Sequence, residues 1–167
     1  MKRLTLICIF NFIGLIVFGQ ELTIGIPHDS FWNLDNFRRD DFEYHPNSYR
    51  DSVVFNLEDI KYLDTSDFTI YLTDSGMDKF DSFRTGIYPR PIVFGIDGRS
   101  IFGSWTVLPI SSHSCNWITC IVDRHEKSIE ISLGYPNMLF KYYNDEFVDP
   151  RKNVDFLGYF IQNDKIK

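Results

Sequence analysis

The sequence predicts a β-rich α+β domain built on a single antiparallel or mixed sheet of about six or seven strands. Three observations support this fold class: short runs rich in β-branched and aromatic residues, turn signals between those runs, and only two segments with helical spacing. The helices are predicted near residues 57–63 and near residues 150–163. No repeat or linker divides the chain, so residues 20–167 are predicted to form a single globular domain.

The clearest turn signal is Asp97-Gly98, which separates the apolar runs 91–96 and 99–108. Asp and Gly tolerate the positive φ angles of a type I′ turn, so a two-residue hairpin is predicted. In that register one face carries Ile92, Phe94, Ile96, Ile101 and Trp105, and the other carries Val93, Phe102 and Leu108. Because both faces are partly apolar, the hairpin is predicted near the middle of the sheet or between layers. Gly95 and Gly103 indicate a twist or a bulge more than a ligand lying against them.

A second hairpin is predicted from residues 117–122 and 128–133, joined by the charged loop 123–127. Its second strand alternates apolar and polar residues, which is typical of a half-buried strand. The loop places His125 beside Glu126. A solvated hairpin tip explains this pair more simply than acid–base chemistry does.

The remaining elements follow from local patterns. Strands are predicted at residues 21–26, 52–55, 67–73 and 138–143, and residues 74–81 are predicted to form an acidic, solvated turn. Asn56 is the candidate N-cap of the short helix. In the C-terminal helix Asp149 is the cap and Pro150 the first residue, and the apolar stripe is Val154, Leu157 and Ile161, broadened by Phe156 and Phe160.

The beginning of the chain has the pattern of a secretory signal peptide. Lys2 and Arg3 form a basic start, residues 4–18 are almost all apolar, and Gly19 is the first candidate for cleavage, ahead of Gln20. The apolar run is shorter than the roughly 20 residues of a spanning helix, although an uncleaved anchor is the alternative. Residues 1–19 are therefore predicted to be removed, and the protein is predicted to be secreted or periplasmic, without stable membrane insertion.

Cleavage would leave an acidic domain, since loss of the two basic residues changes the net charge from −6 to −8. Nucleic acids and anionic lipids attract clustered Lys and Arg, and the sequence contains no such cluster. Nucleic acid is therefore excluded as a predicted partner. The pattern also indicates no cofactor and no metal, because two cysteines without clustered histidines do not make a zinc site.

Cys115 and Cys120 are the two cysteines that remain after cleavage. In an oxidising compartment such a pair predicts a disulfide. Their odd separation would place them on opposite faces of a straight strand, so the bond requires a turn near Asn116.

Residues 31–50 are polar and aromatic without a clean period, and are predicted to form a long loop. Long irregular segments in compact domains are often functional, and Trp, Tyr and Arg dominate binding hot spots. The candidate binding residues are therefore Trp32, Phe37, Arg38, Arg39, Tyr44, Tyr49 and Arg50. The alternative is that Trp32 and Phe37 only pin the loop to the core.

No nucleophile elbow, phosphate loop or His-Glu-x-x-His motif is present, and no catalytic residue is assigned. The favoured hypothesis is an exported module that binds an unidentified protein of the cell envelope or medium. A carbohydrate- or peptide-binding module that uses exposed Trp32, Trp105 or Trp117 is the second hypothesis. A hydrolase with an unrecognised site is the third.

Overall fold

The computed structural model describes residues 21–27, 49–83, 90–107, 115–135 and 149–167. These residues form one mixed sheet of eight strands and two short α-helices, which confirms the β-rich α+β prediction with one strand more than expected. The strands are β1 Leu22–Pro27, β2 Tyr49–Phe55, β3 Ile60–Asp64, β4 Thr69–Leu72, β5 Arg90–Ile96, β6 Arg99–Val107, β7 Cys115–Asp123 and β8 Ser128–Tyr135. The helices are α1 Asp74–Phe83 and α2 Val154–Gln162.

The sheet has the order β2-β1-β5-β6-β7-β8-β4-β3, and only β6 and β7 run parallel. The chain passes from β2 at one edge to β3 at the other between Phe55 and Ile60. Five residues span at most about 17 Å, whereas a flat sheet of eight strands would be about 34 Å across. The sheet must therefore curl, so that its two edges approach each other at this end.

The inner face of the curled sheet holds the main hydrophobic core, and α2 packs against it. The ring of Phe156 meets Phe94 and Phe102 edge-on, with centroids 6.2 and 5.2 Å apart. On the opposite face of the central hairpin Val93 and Trp105 are also buried, with 0% and 4% of their surface exposed. Both faces of β5 and β6 are therefore buried, as the sequence predicts.

The central hairpin turns at Asp97 and Gly98 with φ angles of 50° and 73°, in agreement with the predicted turn. Beyond the turn the predicted register is wrong by one residue. A bulge between Phe94 and Gly95 pairs Phe94 with Phe102 instead of Ile101. A shift of one residue exchanges the two faces of a strand, which is why Phe102 joins the core and Trp105 leaves it.

The predicted short helix over residues 57–63 is wrong beyond its first turn. Leu57–Asp59 is a 3₁₀ helix, and β3 begins at Ile60. The predicted acidic turn over residues 74–81 is instead part of α1, whose buried side chains include Met77, Phe80 and Phe83.

The C-terminal helix is confirmed, but in two pieces. Asp149 accepts a hydrogen bond from the Arg151 N–H at 3.1 Å and caps a 3₁₀ helix, Pro150–Lys152. Asn153 then caps α2 through hydrogen bonds from the N–H groups of Asp155 and Phe156. The predicted apolar stripe is only partly correct, because Val154 and Ile161 are 81% and 55% exposed. The buried face is formed by Phe156, Tyr159 and Phe160.

The predicted signal peptide (residues 1–19) and the predicted strand over residues 138–143 lie outside the described residues. Within the described ranges, no helix combines the length and the apolar character needed to cross a membrane.

Candidate functional site

Most of the binding residues predicted from the sequence lie outside the described residues: Trp32, Phe37, Arg38, Arg39 and Tyr44. Tyr49 and Arg50 begin β2, at the edge of the sheet, where Tyr49 is the register partner of Pro27. A binding surface formed by residues 31–50 therefore stays a prediction.

The two candidate disulfide residues are both buried on β7, and no disulfide joins them. A bulge between Cys115 and Ile118 replaces the turn that the predicted bond requires. Cys115 pairs with Tyr135 and Cys120 with Ile131, so the cysteines lie opposite residues four positions apart on β8. Four residues of strand span about 13 Å, well beyond the separation of about 4.4–6.8 Å between the Cα atoms of a disulfide. The structure therefore does not form the predicted bond.

Burial raises the pKa of the Cys120 thiol to about 12, and a contact of 3.1 Å with the Ser104 hydroxyl offsets this only partly. Because the thiolate is the reactive form, Cys120 is expected to be inert in the folded protein. We expect a chain that begins at Gln20, kept unreduced, to show two titratable thiols after denaturation and no labelling of Cys120 beforehand, as measured by thiol alkylation and mass spectrometry. Recovery of no thiol after denaturation would show that the start of β7 rearranges to form a disulfide.

Among the described residues, the other side chains that the sequence suggested for catalysis or binding do not form a catalytic site. His125 lies exposed at the tip of the β7–β8 hairpin, where its backbone N–H, not its imidazole, donates to the Asp123 carboxylate at 2.8 Å. Trp105 is buried and cannot serve as an exposed platform for a sugar. In the ranges that the structure describes, no group of three or more His, Cys, Asp or Glu side chains is placed to hold a metal ion.

A different candidate lies at β3, one of the two edge strands of the sheet. Residues 165–167 lie alongside it in parallel, and an isolated bridge joins Leu63 to Ile166. The Leu63 N–H donates to the Lys165 carbonyl at 2.7 Å, and the Leu63 carbonyl accepts from the Lys167 N–H at 2.8 Å. The Thr65 N–H donates to the Lys167 carbonyl at 3.1 Å. We call the side of residues Ile60 to Thr65 that faces away from β4 the β3 edge.

Two half-buried tyrosines lie beside the β3 edge, on the outer face of the sheet. Tyr62 and Tyr71 are register partners on β3 and β4, and their rings stack with centroids 4.7 Å apart. The Lys167 ammonium lies 5.3 Å from the centre of the Tyr62 ring. We call Tyr62 and Tyr71 the tyrosine pair.

The electrostatic surroundings of the tyrosine pair are acidic. Hydrogen bonds from Ser66 lower the pKa of Asp64, so this carboxylate is ionised at neutral pH. Desolvation, followed by the neighbouring carboxylate of Asp67, raises the pKa of Tyr71, so its hydroxyl stays neutral. Asp64 lies 3.8 Å from the Lys167 ammonium. The site thus combines aromatic rings, negative charge and hydrogen-bonding groups of an edge strand.

The turn between β3 and β4 fixes this arrangement. The Asp67 carboxylate accepts from the Thr69 N–H at 3.0 Å, and Phe68 adopts a φ of 57°. Arg151 lies over the Phe68 ring at 4.3 Å and also donates to the Ile131 carbonyl at 3.0 Å. Asp149 holds the guanidinium of Arg151 through two hydrogen bonds of 2.8 and 2.9 Å. Packing of Arg151, from the C-terminal segment, therefore holds Phe68 in the left-handed conformation that the turn needs.

Local sequence patterns do not reveal this site, for an identifiable reason. Tyr62 fell within the predicted helix over residues 57–63, and nothing in the local pattern pairs it with Tyr71. The bulge between Ile60 and Tyr62 also sets the register of β3 against β4. The approach of residues 165–167 to β3 depends on where α2 ends, and local patterns do not determine the end of this helix.

Comparison of the chain with protein-family models, with curated proteins and with solved structures finds no significant match in any of the three.

Proposed function

We propose that this chain is an exported interaction module that binds a protein partner in the cell envelope or the medium. The observation that carries the proposal is the β3 edge, with the tyrosine pair beside it. Edge strands can pair with another extended chain through their main-chain groups, and residues 165–167 already pair with β3 in this way. Tyrosines are enriched among the residues that contribute most to protein–protein binding. The basic start and apolar run of residues 1–18 support export.

The geometry of the tyrosine pair favours a protein over a carbohydrate. Sugar rings stack on an open aromatic face, whereas one face of Tyr62 is stacked on Tyr71 and Lys167 lies near its ring. Trp105, one of the candidates for a carbohydrate platform, is buried. The peptide groups of β3 suit a main-chain partner better.

Affinity capture tests the proposal. We expect the immobilised chain, beginning at Gln20, to retain one protein near stoichiometry from the envelope or medium of its own cell. Tyr71→Ala should reduce this retention at least about tenfold, as expected for a binding hot spot. Val154→Ala is the matched control, because Val154 is 81% exposed on α2 and away from the tyrosine pair.

Thermal unfolding monitored by circular dichroism verifies that both variants are folded. Equal retention by Tyr71→Ala and Val154→Ala would place the contact elsewhere, and a variant with residues 31–50 scrambled would then test that segment. Retention of no protein by the unaltered chain would contradict the proposed function.

A further inference from the structure

We infer that the β3 edge is a docking groove for an extended basic peptide of the partner, and that residues 165–167 occupy this groove in the isolated chain. The inference rests on the proposed protein-binding function and specifies the chemistry of the ligand. It is carried by the contacts that residues 165–167 already make, because these contacts show what the groove accepts.

The first group of contacts is made by the main chain. Leu63 and Thr65 donate to carbonyls of residues 165 and 167, and the Leu63 carbonyl accepts in return. These bonds follow the parallel ladder pattern, and they involve only peptide groups of the occupant. Any extended segment that lies parallel to β3 can therefore make them, and the main-chain contacts define the conformation of the ligand without defining its sequence.

The second group of contacts selects basic side chains. The Lys165 ammonium donates to the Ile60 carbonyl at 2.8 Å. The Lys167 ammonium lies 3.8 Å from the Asp64 carboxylate and 5.3 Å from the centre of the Tyr62 ring. A carbonyl, a carboxylate and an aromatic face all attract a cation. The groove therefore fits an extended segment with two basic residues separated by one residue.

The present occupant is short and partly exposed. It consists of three residues, and the side chains of Lys167 and Ile166 are largely or partly exposed, at 67% and 39%. The chain reaches β3 through Asp164, whose φ of 54° lies in the left-handed region that non-glycine residues adopt at a cost. These features suit a segment that a longer or better-matched peptide can displace.

A peptide titration of the full chain tests the inference. The probe is a capped peptide with the sequence of residues 163–167, and the proteins are the unaltered chain and the double variant Lys165→Glu, Lys167→Glu. Reversing both charges should loosen the internal segment, which otherwise competes at the high effective concentration of a tethered ligand. We expect the peptide to bind the double variant at least about tenfold more tightly than the unaltered chain. The Leu63 and Thr65 amide resonances should shift on binding.

Two controls define the specificity. Lys152→Glu changes the charge of an exposed residue outside the groove, and should bind the peptide as the unaltered chain does. A peptide with both lysines replaced by glutamate should bind neither protein. Equal affinity for all proteins, or equal binding of the two peptides, would overturn the inference.

Hydrogen exchange on the unaltered chain provides an independent measurement. If the occupant can be displaced, the Leu63 and Lys167 amides should exchange through local opening at least about 100-fold faster than the Ile131 amide of the core, which donates to Phe68. Equal rates would show that residues 165–167 are an integral strand, and would overturn the inference. If the peptide fails to bind while Tyr71→Ala still abolishes capture of a partner, the proposed function stands without this groove.

Discussion

Replacing Gly76 with alanine is expected to destabilise the domain by about 2 kcal/mol, the middle of the range for overpacked sites. A Cβ atom at this position would lie 2.2 Å from the carbonyl oxygen of Asp59, which is a backbone atom and cannot rotate away. The same carbonyl accepts a hydrogen bond from the Thr73 N–H at 2.8 Å, so it is held in place. Relief of the clash requires α1 to move away from the 3₁₀ helix, at the expense of the packing of Met77 and Phe80. Urea denaturation at pH 7 measures the change.

Gly158→Ala is the matched control, because it makes the same substitution within the other helix. The nearest atom to a Cβ at Gly158 is Nε2 of Gln162, at 3.7 Å, which is an ordinary contact. Removing the backbone freedom of glycine within a helix should stabilise the domain by about 0.5–1 kcal/mol. The two substitutions are thus expected to have opposite signs. Stabilisation by Gly76→Ala would contradict the close approach of α1 to Asp59.

The contact between Gly76 and the Asp59 carbonyl matters for the candidate site because it lies next to the start of β3. The 3₁₀ helix connects β2, at one edge, to β3, at the other, and α1 packs against both β2 and the 3₁₀ helix. Ile60, the first residue of β3, directly follows Asp59. Loosening the contact at Gly76 should therefore release the start of the β3 edge before it affects the central strands.

The central hairpin shows how far local patterns determine this fold. The Asp97-Gly98 turn follows from the residues themselves, since these types tolerate the positive φ that the turn needs. Gly95 indicated the bulge, but nothing in the sequence indicated that the bulge would exchange the two faces of β6. Because the bulge shifts the pairing by one residue, it sends Phe102 into the core and Trp105 to the opposite face. Only the packed structure determines which of two apolar faces meets α2.

The segment from residue 57 to residue 83 was predicted least well. Helical spacing and a capping residue at Asn56 predicted a helix that ends after one 3₁₀ turn, because the β-strand pairing of Ile60 with Leu72 is favoured over local propensity. In residues 74–81 the acidic residues and Gly76 suggested a turn. Burial of three apolar side chains, including Phe83, makes residues 74–83 helical instead. Both errors arise from contacts between residues distant in sequence.

The candidate site was beyond prediction for the same reason. The tyrosine pair requires the register of β3 against β4, and the occupant of the β3 edge comes from about 100 positions further along the chain. Neither relation leaves a periodic pattern in the sequence. Residues 31–50 carry a compositional pattern that the structure leaves untested.

Asp59→Asn is expected to destabilise the domain by about 3 kcal/mol at pH 7, which is typical of losing a buried, hydrogen-bonded charge. The Asp59 side chain is only 4% exposed, and its carboxylate contacts the Lys79 ammonium at 2.5 Å. It also accepts hydrogen bonds from the Asn56 N–H at 2.9 Å and the Ser75 hydroxyl at 3.0 Å. An amide keeps the shape but loses the charge that these three donors stabilise.

The effect of Asp59→Asn should depend on pH in a defined direction. Burial alone would raise the pKa of Asp59, but the hydrogen bonds from Lys79, Asn56 and Ser75 outweigh burial and hold the pKa below its ordinary value of 3.8. A carboxyl group whose pKa is lowered on folding contributes stability above its unfolded pKa, and this contribution is lost as the pH falls through the folded pKa. The difference in unfolding free energy between the unaltered chain and Asp59→Asn should therefore be constant near neutrality and shrink below about pH 4.

Asp78→Asn is the matched control. It separates the loss of the buried Asp59 carboxylate from the general effect of removing one acidic residue. Asp78 is exposed on α1, one residue before Lys79, so its replacement removes the same charge from the same helix without disturbing the buried carboxylate. Urea denaturation of the three proteins at pH 7 and pH 3 should show a large, pH-dependent loss only for Asp59→Asn. A loss of equal size at both pH values would mean that Asp59 acts through the hydrogen bonds that its two oxygens accept rather than through its charge. The junction of the 3₁₀ helix and α1 would then be held by packing at Gly76, with the ion pair as a minor contributor.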